Sequence, residues 1–341
     1  MRRLVILFAL VSAPAILHGQ YRITNTFAVG GEGGWDYVVP DPANHRIFVA
    51  RQTRVMVIDE ANGALLGEVA GIHGAHGTAV AEGSGHGFAT SGNDSSIVMF
   101  DLKTFKVLGR VHAAEDADAI IYDPASDRVF SLNGDAHSST VVDPHSGKVV
   151  ANVELGGKPE YGASGGDGMV YASITDKSEI VEIDAKKLSV VRRWSTAPCK
   201  QPVAMAIDRA HHRLFSGCRS GVMAVSDIRA GKIVATIPIG SGTDGAAYDA
   251  ASGDIFVSCA DGTLAIVHQD APDTYHLLQT LKTAPGGRNM GLDPTTHRVF
   301  VVSAKMGPEP AESTAANPRR KAQPIAGSFT VMVIAKEGAA K

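Results

Sequence analysis

The feature that most limits what this chain can become is a segment that returns about every 40 residues. It is an apolar strand, a tight polar turn and a second strand carrying an aromatic residue. It reads DYVVPDPANHRIFVA from Asp36, DAIIYDPASDRVFSL from Asp118, VAMAIDRAHHRLFSG from Val203, DGAAYDAASGDIFVS from Asp244 and RNMGLDPTTHRVFVV from Arg288. Two degenerate copies, HGTAVAEGSGHGFAT from His76 and EYGASGGDGMVYAS from Glu160, fill the gaps. The aromatic anchors are Phe48, Phe88, Phe130, Tyr171, Phe215, Phe256 and Phe300, spaced by 40, 42, 41, 44, 41 and 44 residues. A near-constant period of this length marks a repeat architecture in which each unit is one supersecondary element.

Each anchor is followed by a second hairpin, such as VMVIDEANGALLGEVAG from Val55, IVMFDLKTFKVLGRV from Ile97 and TVVDPHSGKVVANV from Thr140. Apolar and polar residues alternate around a turn bearing Gly, Asn or Asp, the pattern of an antiparallel hairpin. Four strands per unit predict an all-β chain folded as a seven-bladed β-propeller of four-stranded antiparallel blades. The reason is burial. A four-stranded sheet of this kind has two apolar faces, and only a neighbour on each side covers both. An open stack of such units would need terminal repeats with polar outer faces, and the sequence has none. The last unit carries strand patterns at Arg288–Asp293, Arg298–Ser303 and Ser328–Ala335 and lacks a fourth. The segment YRITNTFAVGG from Tyr21 reads as that missing outer strand, so the ring is expected to close by the N-terminal strand completing the last blade.

The second hairpins, VMVIDEANGALLGEVAG and IVMFDLKTFKVLGRV among them, resemble the YVTN family of β-propeller repeats, which includes the YncE-like periplasmic proteins of bacteria. The resemblance covers residues 20–341 and rests on packing and turn residues. It implies the propeller fold and no particular reaction.

The remaining segments define the domain plan. Arg2 and Arg3, the apolar run Leu4–Val11 and the small residues up to Gly19 read as a signal peptide, cut after Gly19 or after Ala15. The apolar run is short of the ~20 residues that a membrane span requires. Residues 20–341 are therefore expected to form one exported domain, periplasmic or secreted, with no transmembrane segment once the leader is gone. Losing Arg2 and Arg3 from 32 Lys and Arg leaves 30 basic residues against 35 acidic ones. Such a chain has no general pull toward nucleic acid or an anionic membrane. It is expected to be a monomer. Three cysteines are too few for a disulfide framework. The repeat register favours a Cys199–Cys218 pair, with Cys259 as a small buried residue.

Chemistry enters at one register of the repeat. Five residues before the turn acid, or its equivalent, stand Asp36, His76, Asp118, Val203, Asp244 and Arg288, with Glu160 in the copy that is one residue short. A propeller gathers equivalent positions around one mouth of its central channel, and six of these seven are ionisable. The adjoining loops add Trp35, His73, Glu115, Asp116, Tyr161, Lys200, Gln201 and Asn289. The plainest explanation is that a wet channel mouth tolerates polar residues and that Asp often caps a turn.

Two sharper readings compete with it. Asp36, His73, His76, Asp118, Glu160 and Asp244 could hold a divalent cation, with oxygen favouring calcium or magnesium and imidazole favouring zinc or copper. Alternatively His76, Glu160 and Arg288 are similar to the acid/base and anion-binding set of lactone-cleaving propellers. Whatever the ligand, Trp35, Lys200, Arg288 and Asn289 are expected to take part in binding at the channel mouth.

His45, His212 and His297 share one turn slot before Arg46, Arg213 and Arg298 and read as turn residues. The GGEGGW run at residues 30–35 follows no strand-to-helix pattern, so it is not a dinucleotide loop. Residues 304–327, with four prolines and the basic cluster Arg319, Arg320 and Lys321, interrupt the last unit. They read as a surface loop, or as a lid whose basic tip meets the acidic mouth. The sequence thus points to an exported binding or scaffolding module that offers its channel mouth to a protein or small-molecule ligand. A metal-dependent or acid/base enzyme of lactonase-like class is the alternative. An electron-transfer subunit is the third reading, although no haem-attachment cysteine pair is present.

Overall fold

A computed structural model describes residues 20–308 and 322–338 of this chain. The leader and the basic cluster Arg319–Lys321 lie outside the described residues. No helix among the described residues is long and apolar enough to cross a membrane.

Twenty-six strands make up the described fold. The first, β1 (Tyr21–Ala28), stands apart in sequence from the sheet it joins. Six strands follow: β2 (Val38–Asp41), β3 (Arg46–Asp59), β4 (Leu65–Ala81), β5 (His86–Ser91), β6 (Ser96–Asp101) and β7 (Val107–His112). The next set is β8 (Ala117–Asp123), β9 (Arg128–Asn133), β10 (Ser138–Val142) and β11 (Val149–Glu154). Then come β12 (Pro159–Ser164), β13 (Met169–Ile174), β14 (Glu179–Asp184) and β15 (Ser189–Ser195). They are succeeded by β16 (Pro202–Asp208), β17 (Arg213–Cys218), β18 (Val222–Asp227) and β19 (Lys232–Pro238). The chain continues with β20 (Thr243–Asp249), β21 (Asp254–Cys259), β22 (Thr263–Ala271) and β23 (Thr274–Lys282). It ends with β24 (Asn289–Asp293), β25 (Arg298–Ser303) and β26 (Thr330–Lys336).

These strands form an all-β propeller of antiparallel blades with six hydrogen-bonded sheets, where the repeat predicts seven. Five sheets have four strands and one has six, in the order β2-β3-β4-β5-β6-β7. The difference lies in two long strands. β3 has 14 residues and β4 has 17, whereas β1 has 8 and β5 has 6. Arg54–Ile58 of β3 pair with the start of β4, and Ala75–Ala81 of β4 pair with β5. The sheet therefore continues, through register shifts after Gln52 and Ala75, where one repeat was expected to hand over to the next.

The ring closes through the chain ends. β1 pairs antiparallel with β26, from Tyr21 opposite Lys336 to Ala28 opposite Thr330, and completes the sheet β1-β26-β25-β24. The inner strands β2, β4, β8, β12, β16, β20 and β24 neighbour one another in that order, and β24 returns to β2. Gly291 shows how tight this return is. A Cβ there would lie 2.5 Å from Pro40 Cδ and 2.7 Å from the Val38 carbonyl.

The apolar core sits in the seams between sheets. Phe300, Val302, Phe329 and Val331 pack against Val38, Ile47, Val49 and Ile58 in one seam. In the preceding seam Phe256, Leu264 and Ile266 meet Tyr21, Met290 and Val299. All seven aromatic anchors are buried, at 0% exposure except Tyr171 at 2%. Each such side chain stabilises the fold by about 1.5–3 kcal/mol.

The turn residues behave as structural parts. Asp41, Asp123, Asp208, Asp249 and Asp293 are buried. The Ser126 amide donates to Asp123 at 2.9 Å and the Thr295 amide to Asp293 at 2.6 Å. His45, His212 and His297 have φ of 50°, 55° and 57°, a left-handed conformation in which His is enriched. Cys199 and Cys218 form a disulfide with Cα atoms 5.7 Å apart, and Cys259 is free and buried.

Candidate binding site at the channel mouth

A recurring distortion of the inner strands builds the mouth. The ladder register shifts between Ala75 and Thr78, Ala117 and Ile120, Pro159 and Gly162, Pro202 and Ala204, and Thr243 and Gly245. His76, Asp118, Glu160, Val203 and Asp244 all fall inside these irregularities. A β-bulge takes a residue out of ladder pairing and re-aims its side chain, which is how five equivalent positions come to face the axis. Second-strand hydroxyls catch the freed backbone. Thr90 Oγ1 accepts from the Gly77 amide at 2.8 Å and donates to the Asp118 carbonyl at 2.6 Å. Ser173 Oγ accepts from the Tyr161 amide at 3.0 Å.

Asp36 reaches the mouth differently, from the loop before β2. The buried Arg51 guanidinium holds that loop by donating to the carbonyls of Gly30, Glu32, Gly33 and Gly34 at 2.9–3.2 Å. It also lies 3.8 Å over the Phe329 ring. Burial, and then the Arg54 charge, pulls the Arg51 guanidinium down to about 10 against the opposing charge of Glu68.

The mouth carries a connected polar network. His76 Nδ1 lies 2.8 Å from Asp36 Oδ2 and 3.5 Å from Asp118 Oδ1. Asn289 Nδ2 donates to Asp36 Oδ1 at 3.2 Å and to Asp244 Oδ2 at 3.5 Å. Arg288 pairs with Asp244 at 2.8 Å, and Arg219 pairs with Glu160 at 2.9 Å. Lys158 bridges Asp116 and Asp135 at 3.2 and 2.6 Å. The Tyr37 hydroxyl donates to the Glu160 carbonyl at 3.0 Å, and its ring meets Tyr161 edge-on at 5.1 Å. Beyond this tyrosine pair the axis opens into a cavity of about 630 Å³ bordered by Val38, Tyr161, Ile207 and Met290. A larger groove of about 880 Å³ runs along β1 and β26, and among the described residues its lining contains no carboxylate or histidine side chain.

Electrostatics at the mouth reflect too many acids in one half-buried place. Burial, then the Asp36 charge, pushes Asp118 well above the carboxylate range. The same two causes raise Asp244 to about 7 against the pull of Arg288. Burial raises Glu160 although Arg219 and Lys158 oppose it. Burial would lower the His76 imidazole, but the Asp36 hydrogen bond and the charges of Asp118, Asp36 and Asp116 outweigh it and raise it to about 9. Tyr161 is pushed up to about 12 by burial beside Asp244 and Asp36.

Asp36, His76, Asp118, Glu160, Asp244, Arg288 and Asn289 are thus joined through direct contacts or through Tyr37. Three expected members stand apart. His73 is exposed, with its amide on Ser91 Oγ at 2.8 Å; it lies in β4 ahead of the register shift that takes in His76. Lys200 is exposed, and its amide is bonded to Ser220. Trp35 packs against Phe329 at 6.0 Å in the closing seam, and its buried Nε1 has no partner among the described residues. The catalytic set His76, Glu160 and Arg288 does not assemble as a triad. His76 is held by Asp36 and Asp118, Glu160 by Arg219, and Arg288 by Asp244.

Four participants were not legible as site residues: Arg219, Lys158, Tyr37 and Asp135. Arg219 compensates for the uncharged Val203, entering from the turn after β17 of the same sheet. The only available signal was that Val203 is the apolar exception in its register. The insertion is described only at its base. There Gly307 and Ile325 bond to the opposite arm, and the Gly327 amide donates to the Gly31 carbonyl at 2.9 Å. That base therefore rests on the loop leading to Asp36.

No family model and no curated protein matches this chain. Among solved structures, hydrazine synthase of Kuenenia stuttgartiensis is similar in fold, with a TM-score of 0.71 over 91% of this chain and 97% of that one. At 13% identity the likeness extends to the propeller fold alone.

Proposed function

We propose that this chain is an exported binding module whose channel mouth takes a ligand bearing positive charge, either a small molecule or a segment of a partner protein. The observation carrying this reading is the convergence of Asp36, Asp118, Glu160 and Asp244 from separate repeats, three of them pushed above their ordinary range by burial and mutual repulsion. A site that holds acids in this state gains when a cationic group enters. Export is part of this proposal and is supported by the leader features of residues 1–19, which would send the module to the periplasm or outside the cell.

The kinship to YVTN and YncE-like repeats belongs to the same proposal, as does a count of seven repeat units. The six-stranded sheet contains two of the seven aromatic anchors, Phe48 and Phe88. Its β3 is interrupted at Gln52, with φ of 46°, and its β4 at Gly71 and Gly74, with φ of 75° and 76°. We read this sheet as two repeat units joined edge to edge. The enzyme alternative has less support, since each of its three residues is engaged in a separate ion pair.

Titrating the purified chain with a short oligolysine peptide tests the reading, with oligoglutamate as the control. Saturable oligolysine binding, weakened in Glu160→Gln and Asp244→Asn, is expected. Equal binding of both peptides, or binding indifferent to the two substitutions, would remove the mouth as the binding surface.

A further inference from the structure

We propose that Asp36, His76 and Asp118, with the side-chain oxygen of Asn289, form a site for one divalent transition-metal cation of the manganese-to-zinc kind. The inference rests on reading the mouth as a place for positive charge, and it specifies one occupant.

Geometry supplies the first argument. The donor atoms of Asp36, His76 and Asp118 lie within 4.8 Å of one another, with contacts of 2.8 and 3.5 Å at His76 Nδ1. Ligands on bonds of roughly 2.0–2.1 Å around a tetrahedral ion stand about 3.3 Å apart. The three side chains are therefore already near ligating separation. They come from three successive repeats, so the backbone spaces them before any ion arrives. Arg51 fixes the loop carrying Asp36, and bulges fix His76 and Asp118.

Charge distribution supplies the second. The neighbouring acids at the mouth each pair with a lysine or arginine: Glu160 with Arg219, Asp244 with Arg288, and Asp116 and Asp135 with Lys158. Among the described residues, Asp36 and Asp118 share one imidazole and have no lysine or arginine within ion-pair distance. A divalent ion on a neutral imidazole balances both carboxylates, which a single proton on His76 does not.

Asn289 is the independent pointer. It is 1% exposed, its Oδ1 has no hydrogen-bond partner among the described residues, and its Nδ2 is aimed at Asp36 and Asp244. A buried amide oxygen without a partner is costly. Turning the amide over would set that oxygen against the Asp36 carboxylate, which is repulsive unless a cation stands between them. An ion at this point would take Asn289 Oδ1 as a ligand in exchange for the two Nδ2 hydrogen bonds to Asp36 and Asp244. The donor set of one imidazole nitrogen and a few oxygens suits manganese or zinc better than calcium, which takes six to eight oxygens.

The test uses the whole purified chain, stripped with chelator and titrated calorimetrically with Zn²⁺ and Mn²⁺, with Ca²⁺ for comparison. One Zn²⁺ or Mn²⁺ per chain is expected, with a rise in Tm of several degrees. Asp118→Asn and His76→Gln should weaken binding at least about tenfold, while His45→Asn, at a left-handed turn position outside the mouth, should retain it. Should a variant fail to fold, Co²⁺ bound to the unaltered chain decides, because visible absorption of a low-coordinate nitrogen–oxygen site is expected. No saturable metal binding, unchanged binding in His76→Gln and Asp118→Asn, or absent Co²⁺ absorption would each overturn the site. Oligolysine binding without metal binding refutes the cation site and leaves the module standing. Metal binding with an oligolysine interaction that ignores the mouth does the reverse.

Discussion

The Tyr21 hydroxyl donates a 2.6 Å hydrogen bond to Asp254 Oδ2, joining the first strand of the chain to β21, 233 residues away. Asp254 is fully buried and also receives Lys336 Nζ at 2.8 Å and His268 Nδ1 at 2.7 Å. Both β1 and its neighbour β26, the first and last described strands, are thereby fastened to the sheet before the closing one. Burial disfavours the Asp254 charge, yet Lys336, Tyr21 and His268 outweigh it and hold the carboxyl below its ordinary range. Tyr21→Phe should lower unfolding free energy by about 1.5–3 kcal/mol, as expected for a hydrogen bond to a charged group. Denaturant unfolding measures this. The loss should come as one cooperative shift, because the latch holds the whole ring; an early partial transition would contradict that.

Arg51 makes a second expectation. Its guanidinium serves four carbonyls of residues 30–34 and stacks on Phe329. Arg51→Met should cost about 2–4 kcal/mol, with water recovering part of the lost bonding. Arg51→Lys should recover little, since an ammonium cannot span the same fan of acceptors. Hydrogen exchange should speed up in residues 30–36 before it does elsewhere.

Gly291→Ala probes the seam where the ring returns on itself. The new methyl would meet Pro40 and the Val38 carbonyl at 2.5–2.7 Å. Forced repacking of this kind costs about 1–3 kcal/mol. Gly327→Ala serves as a steric control, since a Cβ there meets nothing within 4 Å, although its φ of 76° adds backbone strain of its own. A larger Tm loss at Gly291 than at Gly327 is expected.

Asp244 makes stability depend on pH. Its carboxyl titrates near pH 7 when folded against an ordinary value of 3.8, so the folded state holds this proton more tightly. Stability from that proton is complete below about pH 4 and is lost as pH rises toward 7. Asp244→Asn removes the dependence. Between pH 5 and pH 8 the variant should gain about 2–3 kcal/mol relative to the unaltered chain. A stability difference that stays constant across that range would show that Asp244 does not carry the proton.

Much of the fold was readable because repetition exposes the burial problem. The period of Phe48 through Phe300 announced sheets that must cover each other, and the orphaned strand pattern at Tyr21 announced closure. The number of hydrogen-bonded sheets was not readable in the same way. Whether β3 and β4 break into separate ladders or run on depends on backbone pairing at Gln52 and Ala75, for which residue type carries no strong signal. At the mouth, the register identified Asp36, His76, Asp118, Glu160, Asp244 and Arg288. It also suggested His73, three residues from His76, because proximity in sequence cannot tell which of two residues in one strand falls within a bulge.

By itself the sequence determined the all-β propeller class, though not the number of sheets, and which register would be polar, since both follow from periodic placement of apolar, turn and ionisable residues. Tertiary structure alone decided which of those polar residues meet. Bulges re-aim five of the inner-strand positions, Arg51 anchors the loop of Asp36, and Arg219 arrives from the turn after β17. Closure of the ring then brings Asn289 beside Asp36, 253 residues away, in a contact that no local pattern encodes.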